Sequence, residues 1–196
     1  HMFMHGDISH IFFNMFGLYM FGSPLEQMWG KQKFIFFYLS TGFGAAALQL
    51  LLYYYQVDNV NSALTEYGLS APQISNFYQT AELPNSAIDI IGEGQLSGAF
   101  NAFRSVMVGA SGALYGVLVG FAMLFPNAQL MLLFPPIPIK AKFLVPVLIF
   151  ADLFFGFSSY SIGPIAHFAH VGGAVTGLVM MWYWKKNQFN NNRWDL

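Results

Sequence analysis

The sequence predicts an all-α, polytopic bundle of membrane helices. Hydrophobic residues make up 56% of the chain and charged residues only 9%, where a soluble domain carries about 25% charged. The apolar residues fall into blocks, most of them close to the roughly 20 residues that a helix needs to cross a bilayer. Lysines gather at the ends of alternate blocks, as they do in short cytoplasmic loops.

Five blocks read as spans: residues 8–28, 34–55, 106–125, 143–157 and 165–184. The first is the least apolar and the fourth the shortest. Lys31 and Lys33 follow the first span, Lys140 and Lys142 lie between the third and fourth, and Lys185, Lys186 and Arg193 follow the fifth. With five spans these clusters share one face, expected to be cytoplasmic. The opposite face receives residues 56–105, which carry Asp58, Glu66, Glu82, Asp89 and Glu93 against the single cation Arg104. That stretch reads as a long extracytoplasmic loop inserted in one membrane domain covering residues 1–196. Short helical turns at residues 62–67 and 87–91 are the only regular structure expected in it. Trp182 and Trp184 beside Lys185 and Lys186 fit an interfacial belt.

A net charge of -1 leaves no basic stripe for nucleic acid. The chain has no Cys, which removes disulfides and thiolate chemistry together. His1, His5, His10, His167 and His170 invite a metal reading, but no HExxH motif occurs and no carboxylate joins a His at ligand spacing. No metal and no cofactor is expected. The chain opens on His-Met-Phe-Met-His without a charged leader, and an upstream part is expected to be missing.

The polar residues inside the blocks point to a site. The first, third and fifth spans run the same way, so their N-terminal turns lie at one depth. Ser111 is five residues into the third and His170 five into the fifth, each roughly 7 Å below the outer boundary at 1.5 Å per residue. Gly112, Gly116 and Gly120 form a drifting stripe on the third span, and Gly173 and Gly177 repeat the small-residue spacing on the fifth. If these surfaces meet, Ser111 comes within reach of His170, and Tyr115 packs on the imidazole. His167 is rotated away from His170 by about 60°. An imidazole that accepts the Ser111 proton makes the alcohol a nucleophile for acyl transfer. The Ser111 N–H, the Asn14 amide and the His10 imidazole are placed to stabilise the oxyanion, with His10 and Asn14 sharing a face at i, i+4. Asp152 is the only carboxylate well inside a span, where an unpaired charge costs about 2.5 to 3.5 kcal/mol. A third catalytic member and a bond to a neighbouring helix both remain open for it.

At these residues the chain resembles the rhomboid family of intramembrane serine proteases. HGDISHIFFNM looks like the family's H-x-x-x-N segment, GASG like its G-x-S-G motif, and AHVGGAVTG like its A-H-x-x-G helix. The resemblance implies Ser111 as nucleophile, His170 as general base, His10 and Asn14 as oxyanion donors, and Tyr115, Gly109 and Gly112 as support. It implies a dyad without an acid, and a six-helix core of which five helices are present and the first absent. It also implies a multi-pass protein of the plasma or inner membrane, its site opening to the extracytoplasmic side, that cleaves transmembrane protein substrates. Two other readings stand beside it. One is a proteolytically silent rhomboid-like module that binds membrane proteins, against which the presence of both Ser111 and His170 argues. The other is a proton-coupled transporter using His and Asp152, which should spread polar groups through the full membrane depth.

Overall fold

Helices build most of the described residues, and glycine rather than proline decides where the decisive ones pack. A computed structural model describes residues 1–131, 137–157 and 166–187. In chain order the elements are α1 (Ile8–Gly17), α2 (Ser23–Trp29), α3 (Lys31–Glu66), α4 (Ala71–Thr80), α5 (Asn85–Ile91), α6 (Glu93–Arg104), α7 (Ser111–Leu124), β1 (Gln129–Met131), β2 (Pro138–Lys140), α8 (Ala141–Phe157) and α9 (His167–Asn187). The chain forms two compact units, residues 1–49 with 107–196, and residues 50–106.

In the first unit α7 and α9 make the most extensive helix contact, with α8 against both. The contact is backbone on backbone. A methyl group built at Gly173 would overlap the Gly112 carbonyl oxygen, and one at Gly177 would lie 2.9 Å from both the Cα and the carbonyl oxygen of Gly116. Glycine on both sides is what allows this approach. Gly120, expected on the same stripe, instead faces Leu25 and Phe37, because each i, i+4 step rotates the stripe by about 40°, about 80° from Gly112 to Gly120. Leu25, Phe37, Val117 and Met181 are fully buried around these helices. The outward faces of this unit are apolar: Phe12, Phe16, Phe36, Phe43, Phe150 and Phe154 are all exposed. Polar Asn14, Thr41, Gln49, Asp152 and His167 are buried instead. That inversion of the soluble pattern suits a lipid surround.

The expected spans fall on α1 with α2, α3, α7, α8 and α9, with four differences. The first span is not one regular helix: a π turn at Leu18–Gly22 joins α1 to α2. Pro24 follows it, and in a regular helix its ring would strike the Met20 carbonyl, which lies inside the π turn. The third starts at Ser111, not at residue 106, since Gly109 has φ +107° and ends any continuation upstream. The fourth is preceded by an antiparallel ribbon, with Gln129 paired to Lys140 and Met131 to Pro138. Among the described helices α3 alone is both long and apolar enough to cross a membrane, with α7 a shorter apolar helix. Histidines, glycines and the terminal lysines dilute α9. Ile165 and Arg193 lie outside the described residues.

The second unit holds more helix than the short turns expected in residues 56–105. The latter part of α3 continues to Glu66, and α4, α5 and α6 follow. Val60, Leu64, Phe77, Tyr78, Leu96 and Ala99 form a core of their own. The Tyr78 hydroxyl donates to Asn61 Oδ1 at 2.9 Å, and the Gln73 side chain accepts from the Ser70 N–H at 2.9 Å to cap α4. Short helices with polar outer faces hide inside a polar composition, which is why only turns were expected.

Candidate active site

Ser111 is the first residue of α7, so its N–H and those of Gly112 and Ala113 have no acceptor within the helix. Gly109 sets the approach. Its φ of +107° is open to glycine and strained for other residues. Its N–H donates to the Met4 carbonyl at 2.6 Å and the His1 carbonyl at 3.0 Å, tying the chain's first residues to the loop before the serine. The Met2 side chain fills the notch at Gly42 on α3.

His170 sits in the first turn of α9. Its Nε2 is 2.9 Å from Ser111 Oγ. The Tyr115 ring, one turn below Ser111, stacks on the imidazole at 4.3 Å between centroids and 8° between planes. The first turn of α9 is anchored from α3, where the buried Gln49 side chain accepts the Ala169 N–H at 3.0 Å. Sequence reasoning did not single out Gln49. A lone amide in the middle of an apolar span was the available signal.

The pair has a carboxylate neighbour that the expected acid-free dyad did not include. Asp152 Oδ1, buried on α8, is 3.1 Å from His170 Nδ1 and 2.6 Å from His167 Nδ1. Asp152 lies five residues before Phe157, the last residue of α8, and α8 packs against α9. The 60° that separates His167 from His170 therefore does not divide them, because both rings reach one oxygen.

His10 and Asn14 share a face of α1 as their spacing required, but their polar atoms point in different directions. The His10 ring stands over Gly109, where a methyl group would come within 2.5 Å of Nε2. Its Nδ1 accepts the Gly6 N–H at 3.4 Å, which leaves Nε2 as the donor of the neutral ring. The Asn14 amide donates to its own helix, at 2.8 Å from the His10 carbonyl. Asp7 caps α1 by accepting the His10 N–H at 2.8 Å. Gly112 fits where no larger residue does, 2.6 Å from Ala45 Cβ for an added methyl.

Chemically the site pairs an alcohol with an imidazole at the start of a helix whose first N–H groups have no acceptor within that helix. The family model described as "Rhomboid domain" matches residues 1–77 and 85–187. The chain is 25% identical over 186 residues to "Rhomboid protein 1, mitochondrial" of Saccharomyces cerevisiae, covering 94% of the chain and 40% of that protein. It is 28% identical over 187 residues to "RHOMBOID-like protein 12, mitochondrial" of Arabidopsis thaliana, covering 95% and 46%. It is 33% identical over 58 residues to "Rhomboid protease AarA" of Providencia stuartii, covering 30% and 21%. The chain thus spans less than half the length of each of these relatives. No solved structure matches.

Proposed function

The chain belongs to the rhomboid family, and from that premise we propose that it is an intramembrane serine endopeptidase working through Ser111 and His170. The family is membrane-integral, is made up in general of serine proteases and acts on membrane proteins. The all-α bundle is that family's fold. The observation that carries the reading is the 2.9 Å approach of His170 Nε2 to Ser111 Oγ across two helices distant in sequence.

In this mechanism Ser111 Oγ attacks the scissile carbonyl carbon while His170 Nε2 takes its proton. The oxyanion of the tetrahedral intermediate is held by the Ser111 N–H at the positive start of α7, by His10 Nε2, and by Asn14 once its amide turns from the His10 carbonyl. The imidazolium then gives its proton to the leaving amine and the acyl-enzyme forms. Water, activated by the same ring, releases the second product. No step calls on a metal or cofactor. The substrate is a transmembrane protein whose helix-destabilising residues let an extended stretch reach Ser111.

We assign the protein to the plasma or inner membrane, with the site opening opposite the face that carries Lys31, Lys140 and Lys185 and with residues 56–105 on the extracytoplasmic side. Two of the matched relatives are named mitochondrial, and cell fractionation reads which membrane holds this one. The test of the activity is made with the full-length protein in liposomes. A fluorophosphonate should label Ser111, and Ser111→Ala and His170→Ala should each abolish cleavage of a single-span reporter. Label retained in Ser111→Ala removes the assignment.

A further inference from the structure

We propose that Asp152 is a positioning residue for His170, selecting through one shared carboxylate oxygen the ring tautomer that can accept the serine proton. The inference rests on the Ser111 and His170 reading above and adds a residue to it. Asp152 is 6% exposed. Its Oδ1 meets two rings at the same kind of atom, His170 Nδ1 at 3.1 Å and His167 Nδ1 at 2.6 Å. A carboxylate only accepts, so both rings must present Nδ1–H to it. A neutral imidazole has a single N–H, and its other nitrogen then carries the lone pair. For His170 that nitrogen is Nε2, the atom 2.9 Å from Ser111 Oγ. The opposite tautomer would point an N–H at the serine and could not take its proton.

Two further contacts hold the ring in this pose. Tyr115 stacks on one face of His170 at 4.3 Å, which resists tilting about the Cβ–Cγ bond. The second bond at Oδ1 ties His167, the first residue of α9, to α8, so the carboxylate is fixed from a side that the reaction does not use. The same geometry admits a competing role in which Asp152 only clasps α8 to α9 through His167. The two roles separate experimentally, because one acts through His170 and the other through His167.

The test compares Asp152→Asn, Asp152→Glu and His167→Gln in the full chain reconstituted in liposomes, with cleavage of a single-span reporter resolved into kcat and KM. The amide of Asp152→Asn can donate to Nδ1 and so leave His170 in the wrong tautomer. In the worked triad of serine proteases the equivalent change lowers kcat about 10⁴-fold. Here kcat should fall by about 10² to 10⁴ at unchanged KM, since the loss is confined to the transition state. Asp152→Glu should restore part of that loss, and His167→Gln should stay within about tenfold of the parent. Equal losses in Asp152→Asn and His167→Gln overturn the proposal, as does an Asp152→Asn rate within about threefold of the parent.

Should Asp152→Asn fail to accumulate folded, the parent protein decides the question by ¹⁵N spectroscopy of labelled His170. A protonated Nδ1 and bare Nε2 support the proposal, and a protonated Nε2 overturns it. Fluorophosphonate labelling runs alongside. With the label lost in Ser111→Ala, a normal Asp152→Asn rate removes the positioning role and leaves the serine assignment standing.

Discussion

The Gly173→Ala substitution tests how the serine and histidine are held together. A methyl at Gly173 lies against the Gly112 carbonyl group, 2.7 Å from the carbonyl carbon, where ordinary contact begins at 3.4 Å. Both sides are backbone, so no side chain can swing away. The carbonyl oxygen is nearer still, so the helices must part by at least about 0.7 Å, at a level one turn from His170 and one residue from Ser111. Added to the 2.9 Å between Nε2 and Oγ, this gives a separation of at least about 3.6 Å, outside hydrogen-bond range. A displacement approaching 1 Å at a catalytic pair is worth about 10²-fold in rate. Overpacking should also cost about 1 to 3 kcal/mol of stability. The assay is kcat for reporter cleavage in liposomes beside the rate of fluorophosphonate labelling. Gly177→Ala, two turns away with an added methyl at 2.9 Å, should lose less. Gly94→Ala, with nothing within 4 Å, should lose nothing. A Gly173→Ala protein with kcat within twofold of the parent would refute the claim that backbone contact sets the catalytic distance.

Two further substitutions probe the supports of the site. Gly109→Ala forces φ +107° on a residue with a side chain and sets its methyl 2.5 Å from His10 Nε2; it should lower stability by about 1 to 3 kcal/mol and slow labelling of Ser111, read by thermal unfolding and probe kinetics. Gln49→Leu removes the acceptor of the buried Ala169 N–H, which should cost about 1 to 3 kcal/mol in denaturation with KM unchanged, and a fully stable variant would show that the amide finds another partner.

The helical class and the meeting of α7 with α9 were legible in the sequence because glycine spacing on a helix maps directly onto a face. The encounter of Ser111 with His170 followed from that face plus a common direction of travel. The start of α7 is hidden in the sequence: Val106–Ala110 is as apolar as the helix that follows, and the backbone angle at Gly109 separates them. Asp152 was visible as an isolated carboxylate, but its partners depended on where α8 begins. A short ribbon sets that start, and Gln129–Met131 and Pro138–Lys140 carry too few residues for a strand pattern. In residues 56–105 the pattern Ser70-Ala-Pro-Gln73 was a readable helix start, with Pro at the second helical position and a Gln to close the cap. It was submerged in a polar composition.

The contact of Gly173 with Gly112 has a consequence for how such a pair persists in a fluid surround. Side chains jump between rotamers, whereas two main chains in direct touch have no rotamers to sample. The spacing of nucleophile and base is gauged by the thickness of the polypeptide itself, and what preserves it is the continued absence of a single carbon atom.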